Sequence, residues 1–453
     1  MSFSTLGIGA SSLYAAQRAA EIAAHNVANA NTPGYTKQRL TTQTAIPTPG
    51  TAGVKGDGMR GNGVQVLAID RLRDQLSDLS FRGDAASSGA ADARADVLGR
   101  VEGVLGNYPD GASEALNRFF AAFEQLNRTP QDPAARANVM SSGREVAASL
   151  GTAVSQLSQV SEDVGLRMRT STEEVNALAE SISGLNLAIS DALTRQQSPN
   201  DLMDQRDSAL DRLATLAGAT TRQGQNGQVD VYVGNSVLVA GVSTRPLTVT
   251  QTSAGFSVAF TDGPAVVGGE LGAYSRVVSV DLPAMAAQIR DVAGQLADSV
   301  NALHRGGYSL DGDRALGPDG GDFYTVLPDG LIAVRADLTE NGIAASASGA
   351  RTDGNNALAL AGLRDGTPSM GDLLRGVNSR IGAAVATANR DAKTSAGALS
   401  GADQRRASAN GVNVDEEMID LVKFQAQYQA AARVISMADG FFDTIINRMG
   451  AGR

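Results

Sequence analysis

His25 and His304 are the only imidazoles among the 453 residues. Neither stands in an H-E-x-x-H context, and each falls near a helix end, where histidine is common without a ligand role. Residues 56–61, GDGMRG, satisfy G-x-G-x-x-G, the spacing of a phosphate-cradling loop. They follow loop and precede a strand, so they lack the strand–turn–helix setting that aims the glycines at a phosphate, and they read as a flexible loop. The stretch 311–322, DGDRALGPDGGD, has the look of a calcium loop, but Ala315 fills its fifth position and no Glu closes it. Asp201, Asp204, Arg206, Asp207, Asp211 and Arg212 form a dense charged run. On a helix such residues are expected to pair at i,i+3 and i,i+4 and to brace a domain rather than catalyse. No G-x-S-x-G elbow and no P-loop are present. No cysteine is present either, which excludes disulfides, thiolate zinc sites and cysteine nucleophiles. The reading is therefore a non-enzyme with no catalytic residue, no metal site and no cofactor.

The elements around these residues point to a structural role instead. A net charge of −10 argues against nucleic acid as the main partner. No apolar run reaches transmembrane length, and no basic n-region with an apolar h-region opens the chain, so no membrane insertion and no cleaved signal peptide are expected. Aromatics are scarce at 4%, so the core must come mainly from Ala, Leu, Val and Ile.

The last stretch organises the chain. Between Val412 and Met449, apolar or small residues recur in steps of three and four or their sum, at Met418, Leu421, Tyr428, Ile435, Phe442 and Ile446. This is the stripe of an amphipathic helix, with Asn413 or Asp415 as its N-cap. A single helix cannot bury its own stripe. At the other end, Leu6, Leu13, Ala20 and Val27 recur every seven residues, with Ala16, Ala23 and Ala30 three residues after the last three, an Ala-rich seam that allows close helix approach. The two ends are expected to form a coiled coil, with everything between them inserted into it.

Between the ends, the Thr32-Pro33-Gly34 step closes the first helix. Residues 64–70 read as a strand. Helical spacing begins near Asp70, continues through Phe119, Phe120 and Phe123, and breaks at Pro130 and Pro133. After the Pro133 break, the three–four spacing is unbroken from Leu150 to Ala192, which predicts a helix of about sixty residues counted from that break, roughly 90 Å long. Asn200 or Asp201 is expected to cap the next helix. After Gly218 the period switches to two, with turns at Asn226-Gly227 and Gly234-Asn235. Helix returns over 283–304, residues 306–366 are Gly- and Asp-rich, and helix resumes from Met370 to Leu399. The expected fold is mainly α with a small inserted all-β domain. The expected domains are 1–36 plus 405–453 as a terminal coiled coil, 37–220 plus 281–404 as a helical rod, and 221–280 as a distal antiparallel β domain.

Asn29, Asn31, Thr32, Pro33, Gly34 and Tyr35, within ANANTPGYTKQR, resemble the shared N-terminal motif of the bacterial flagellar axial proteins, and the C-terminal helix resembles their matching signature. Those ends alone also fit a hook or rod protein. The blocks 119–136 (FFAAFEQLNRTPQDPAAR), 199–214 (PNDLMDQRDSALDRLA) and 411–447 are together similar to the hook-associated protein 1 branch of that family, over nearly the whole chain. Many members carry a further β-domain after the helix corresponding to 283–304, and here the chain returns too soon for one.

The resemblance implies a structural subunit of the hook–filament junction, outside the cell, exported by the flagellar type III apparatus. It implies a ring of like copies, with hook protein on one side and hook-associated protein 3 on the other. It implies an export chaperone that takes the C-terminal helix, for which Met418, Leu421, Phe424, Tyr428, Ile435 and Phe442 are the candidate contacts. The alternatives are a hook or rod protein or, in a different class, an enzyme carried on a flagellar scaffold. The enzyme would need a pocket of convergent polar groups in 221–280 or 306–366.

Overall fold

A computed structural model describes all residues except 1, 48–60, 106–107, 253–254, 313–315, 366–368 and 445–453. The chain is mostly helical with small antiparallel sheets. It forms two compact units. One comprises Met1–Ala86, Val175–Pro246 and Ala396–Arg453, and the other Ser87–Glu174 and Leu247–Ser395. The phosphate-loop look-alike lies outside the described residues except for Gly61, and the calcium-loop look-alike does so in part.

In order, α1 (Ser2–Asn29) is followed by the ribbon β1 (Gln38–Thr44) and β2 (Val64–Arg71), antiparallel with Gln38 opposite Arg71. Then come α2 (Gln75–Leu105), α3 (Tyr108–Arg128), α4 (Pro133–Thr194) and α5 (Asn200–Ala217). The boundaries between the units fall inside α2, α4 and a later helix, α9 (Met370–Asn410).

The sixty-residue helix read from spacing is α4, at 62 residues. Pro133 fits its first turn because a helix has no partner for the first N–H groups. Leu150, Val154, Leu157, Val164, Met168, Val175, Ile182 and Ile189 are all buried along it. Asn200 does not cap α5. The N-cap is Pro199, which makes no side-chain cap bond, and Asn200 is the first helical residue. Its amide is committed elsewhere, donating to Gln38 Oε1 and Ile69 O.

The alternating residues of 221–280 divide into two sheets, one in each unit. The first runs β3 (Thr220–Gln223), β4 (Val229–Val233), β5 (Ser236–Ala240) and β6 (Ser243–Thr244) in that order. Its first turn uses Asn226 at φ 52° and Gly227 at φ 74°, the left-handed pair a tight hairpin requires. The second sheet is β7 (Leu247–Thr252), β8 (Gly255–Phe260) and β9 (Gly263–Pro264). Period-two patterning reports strands but not which sheet they join, and Pro246 separates β6 from β7 without leaving a mark on the alternation.

In the second unit, β8 lies close on α4. A Cβ at Gly165 would stand 2.4 Å from the Phe256 ring, so only glycine fits there. Next come α6 (Gly269–Arg276), a π-helical turn at Val277–Asp281, and α7 (Leu282–Arg305). The hairpin β10 (Tyr324–Val326) and β11 (Ile332–Val334) leads to α8 (Asn355–Gly362), a helix hidden from sequence reading in the Gly-rich stretch. The core is aromatic: Phe119, Phe123, Phe323 and Tyr324 stack with ring centroids 4.8–6.0 Å apart. Arg136, fully buried, donates to the carbonyls of Pro130, Glu340 and Ile343, which explains why the 119–136 block ends on arginine. Burial pulls its guanidinium down to about 10.

Candidate functional site

In the first unit, α1 packs against α10 (Val414–Asp443). Asn26 meets Glu417, and a Cβ at Gly9 would stand 2.9 Å from Ile435 Cγ1, so the two helices run antiparallel. Asn413 caps α10 by accepting from the Asp415 N–H, with Asp415, Glu416 and Glu417 in the first turn, as the sequence predicts.

The buried face of α1 is Gly9, Ala16, Ala19, Ile22, Ala23 and Asn26. Leu6, Leu13, Ala20 and Val27, the seven-residue series, are only half-buried beside it. Small residues let the helix axes approach, so alanine and glycine occupy the contact and leucine flanks it. On α10 the buried residues are Glu417, Ala431 and Ala438. Leu421, Phe424, Ile435 and Phe442 are half-buried, Met418 and Tyr428 are exposed, and Ile446 lies outside the described residues. The opposite face of α10 is apolar and open: Ile419 is 68%, Val422 62% and Phe441 66% exposed.

A buried polar junction locks the base of this helix pair. Asn26 uses its full bonding capacity. Its Oδ1 accepts from the Tyr35 hydroxyl (2.7 Å) and the Gln38 N–H (3.0 Å), and its Nδ2 donates to Gln38 O and Glu417 Oε2 (both 2.9 Å). Lys37 Nζ lies 2.8 Å from Glu417 Oε1 and 3.4 Å from Glu416 Oε2. The Lys37 backbone bridges further, with its N–H donating to Asn410 O and its carbonyl accepting from Leu72 N–H. Burial pulls the Lys37 ammonium down, but the two glutamates outweigh it and raise its pKa. Burial, then the carboxylates of Asp201, Asp204 and Glu417, push the Tyr35 hydroxyl well up, so it donates to Asn26 as a neutral group.

The axial motif makes the sharp turn into this junction. Gly34, at φ +80°, faces the Ser208 hydroxyl where a Cβ would stand 2.3 Å away. Thr32 donates to Asn29 Oδ1, and the Asn29 amide donates back to His25 O. The His25 ring stands edge-on to Tyr35 at 5.5 Å and its Nε2 is 3.7 Å from Asp201 Oδ1. Asn31, Thr32 and Pro33 are exposed.

Three carboxylates of the charged run on α5 pair away from their own helix. Asp204, Asp207 and Asp211 share one face and take arginines from other elements. Arg71 bonds Asp204 (2.7 Å) and Asp207 (2.8 Å). Arg73 pairs with Asp207 and Asp78, and Arg82 with Asp211 (2.7 Å) and Asp207 (3.2 Å). Arg406 pairs with Asp211 and lies 3.5 Å over the Phe81 ring. Burial raises the Asp207 carboxyl, but Arg73, Arg71 and Arg82 hold it below the ordinary carboxylate range. Thr36 N–H donates to Asp204 Oδ2 (3.1 Å), which ties this cluster to the junction. Arg206 points to the sheet, donating to Asn186 Oδ1 and Gly227 O; Asn186 in turn donates to Val229 O and Gly241 O. Burial pulls the Arg206 guanidinium down to about 10, against the field of Asp207 and helped by Arg71, Arg82 and Arg73.

Asn26, Lys37, Gln38 and Asn410 escaped sequence reading, and Glu417 is legible there only as a first-turn acid of α10. Each is one polar residue in an ordinary polar context, and only the clustering of Asn26 and Lys37–Gln38 on both sides of the Pro-Gly turn signalled them. A cleft of ≈ 910 Å³ adjoins the arginines, and another of ≈ 820 Å³ separates α1, α10 and β1. Among the described residues, no group of three or more His, Asp or Glu is placed to hold a metal ion. Nor is any helix there long and apolar enough to cross a membrane.

Comparison with known proteins extends this picture. Residues 98–324 match the family model of the flagellar hook-associated protein FlgK helical domain. Residues 6–36 match that of the flagella basal body rod protein, and 404–449 the flagellar basal body rod FlgEFG protein C-terminal model. The chain is similar to flagellar hook-associated protein 1 of Bacillus subtilis, with 29% identity over 97% of both chains. It is also similar to that of Escherichia coli, with 25% identity over 96% of this chain and 98% of the other. The solved structure of the flagellar hook junction protein FlgK from Burkholderia pseudomallei shares the fold, with a TM-score of 0.61 at 16% identity, covering 72% of this chain and 99% of that one. The helical domain and both axial ends fall where the junction and the arginine-braced α5 lie, and the chain belongs to the FlgK family of flagellar hook-associated proteins.

Proposed function

We propose that the chain is a structural subunit of the bacterial flagellum that forms the junction between hook and filament, with α1 and α10 as a coiled coil packed against neighbouring copies. The observation that carries this is the helix pair itself. Its seam is small and polar-locked, while Ile419, Val422, Met437 and Phe441 face outward. Exposed large apolar residues grouped along one side of a helix, here Ile419 with Val422 and Met437 with Phe441, mark a protein contact. Lateral, head-to-tail contacts between like copies build a tube rather than a closed dimer. Hook protein below and hook-associated protein 3 above are the axial neighbours, and the chain reaches this place through the type III export path. A hook or rod protein would share the ends, whereas the matched helical domain at 98–324 favours the junction. Electron microscopy of cells lacking the chain should find hooks without filaments; filaments of normal number and length would overturn the junction role.

Before export, α10 is the segment a chaperone would take. An amphipathic helix laid in an apolar groove presents anchors three and four residues apart, and Met418, Leu421, Phe424, Tyr428, Ile435 and Phe442 follow that spacing. Ile435 also faces Gly9 across the pair, so chaperone binding and α1 pairing compete for it. Replacing Leu421 and Ile435 together with Asp is expected to abolish both chaperone binding, read by calorimetric titration, and incorporation into flagella. Unchanged affinity would place the chaperone elsewhere.

A further inference from the structure

The segment 320–346, after α7, is fastened back onto the end of that helix by buried side chains that bond main chain. Asn301 accepts from the N–H groups of Phe323 and Tyr324 and donates to Tyr324 O. Asn356 donates to Ala344 O at 2.6 Å. Arg136 holds the carbonyls of Glu340 and Ile343. Tyr308 and Ser346 close the neck by exchanging backbone bonds.

The remaining fastener is His304, which is 0% exposed. Its Nδ1 lies 3.0 Å from Gly321 O, and its Nε2 lies 3.0 Å from Ala344 N. A backbone N–H can only donate, so Nε2 must present a lone pair. Nδ1 therefore carries the proton and donates to Gly321 O. One neutral tautomer satisfies both contacts. An imidazolium satisfies only one, because its Nε2–H would point at the Ala344 N–H.

We propose that His304 is an acid-sensitive latch that keeps the segment 320–346 closed when neutral and releases it at Ala344 when protonated. No other part of this segment needs to titrate. The charged groups facing the ring are few. Arg335, whose guanidinium lies beside Gly321, disfavours a second cation, and Asp322 favours one but is engaged by Arg305. From the remaining sides the ring meets the Phe323 face edge-on at 5.6 Å and the uncharged Asn356–Ala344 contact. Burial, the largest influence, pushes the imidazole below its ordinary value; the Gly321 carbonyl opposes this and Arg335 adds to it. A folded-state value below the unfolded one means stability is fully present above about pH 6.5 and is lost as pH falls below it.

Hydrogen exchange on the full chain tests this, with each rate corrected for the intrinsic effect of pH. Protection of the Ala344 amide, with Tyr308 and Ser346, should fall about tenfold per pH unit below about 6.5, while the buried amides of α4 hold. His304→Asn keeps a donor for Gly321 and cannot titrate, so its protection should be flat with pH. Equal pH dependence in the wild type and in this variant would overturn the latch. So would a flat profile in the wild type. Nitrogen-15 spectra of the wild-type imidazoles give an answer that no variant's folding can obscure. With only His25 to distinguish, a buried ring in the Nδ1–H form is expected, and an Nε2–H or doubly protonated ring at neutral pH would refute the proposal.

Discussion

Asp207→Ala is expected to remove about 3–5 kcal/mol from the stability of the unit that carries the terminal helices, the range for breaking a buried charge network by deleting one partner. The Asp207 side chain is 13% exposed and meets Arg71, Arg73 and Arg82 at once. Its loss leaves three guanidiniums crowded around an uncompensated site, with Asp204, Asp211 and Asp78 neutralising them only in part. Asp207→Asn should recover little, because shape without charge does not offset three cations. The same network fixes the acid behaviour of this unit. The folded-state pKa of Asp207 lies below the unfolded value of about 3.9, so its contribution is present above that pH and is lost as pH falls through the folded value. Since the chain has no tryptophan, guanidinium unfolding is best followed by circular dichroism, with peptide-resolved hydrogen exchange assigning the loss to 1–86 and 175–246. A change under about 1 kcal/mol would mean the arginines find other partners, and the bracing role would fall.

How much of this was legible in the sequence depends on the distance over which each signal acts. The α4 stripe was legible because helical periodicity is local, and Leu150 through Ile189 repeat it without a break. The Asn226-Gly227 turn was legible because its backbone demand is written in two adjacent residues. The pairing of Asp207 was not. Its arginines lie at positions 71, 73 and 82, more than a hundred residues away, on a strand end, the segment beyond it and a helix. Within the window of one helix the nearest opposite charges were Arg206 and Arg212, which made i,i+3 and i,i+4 pairing the local expectation. Arg206 instead turns to Asn186 and Gly227. In α1 the expected seam is right at Ala16 and Ala23, which are buried, while Leu6 and Leu13 only flank it. Leu6 and Leu13 outweigh Gly9 and Ala16 in any apolar count, yet close helix approach selects the smaller residues. The axial motif was found by resemblance, but its mechanical reason appears only with Gly34 against Ser208 and Tyr35 on Asn26.

Glu417→Ala is expected to unfasten α10 from α1 and to abolish incorporation into flagella. Only 4% of the Glu417 side chain is exposed, and it accepts from both Asn26 and Lys37. Removing it strands one of the two Asn26 Nδ2 hydrogens, the other staying on Gln38 O, and leaves the Lys37 ammonium to the exposed Glu416 alone. Charge-assisted bonds of this type contribute about 1.5–3 kcal/mol. The rest of the seam is mostly small, with Gly9, Ala16, Ala19, Ile22 and Ala23 on α1 and Ala431, Ile435 and Ala438 on α10, so a loss of that size weighs heavily on the pair although not on the chain. A buried polar contact in an otherwise uniform small-residue seam also sets register, since a slip by one turn would bury Glu417 without a partner. Glu417→Gln keeps an acceptor for Asn26 but turns an amide donor toward Lys37, so it should assemble poorly rather than not at all. A double-mutant cycle with Lys37→Met separates the ion pair from the Asn26 bond. Coupling near zero between 37 and 417, together with normal motility of Glu417→Ala, would show that small-residue packing alone fixes the helix pair, and the junction would lose its assigned role.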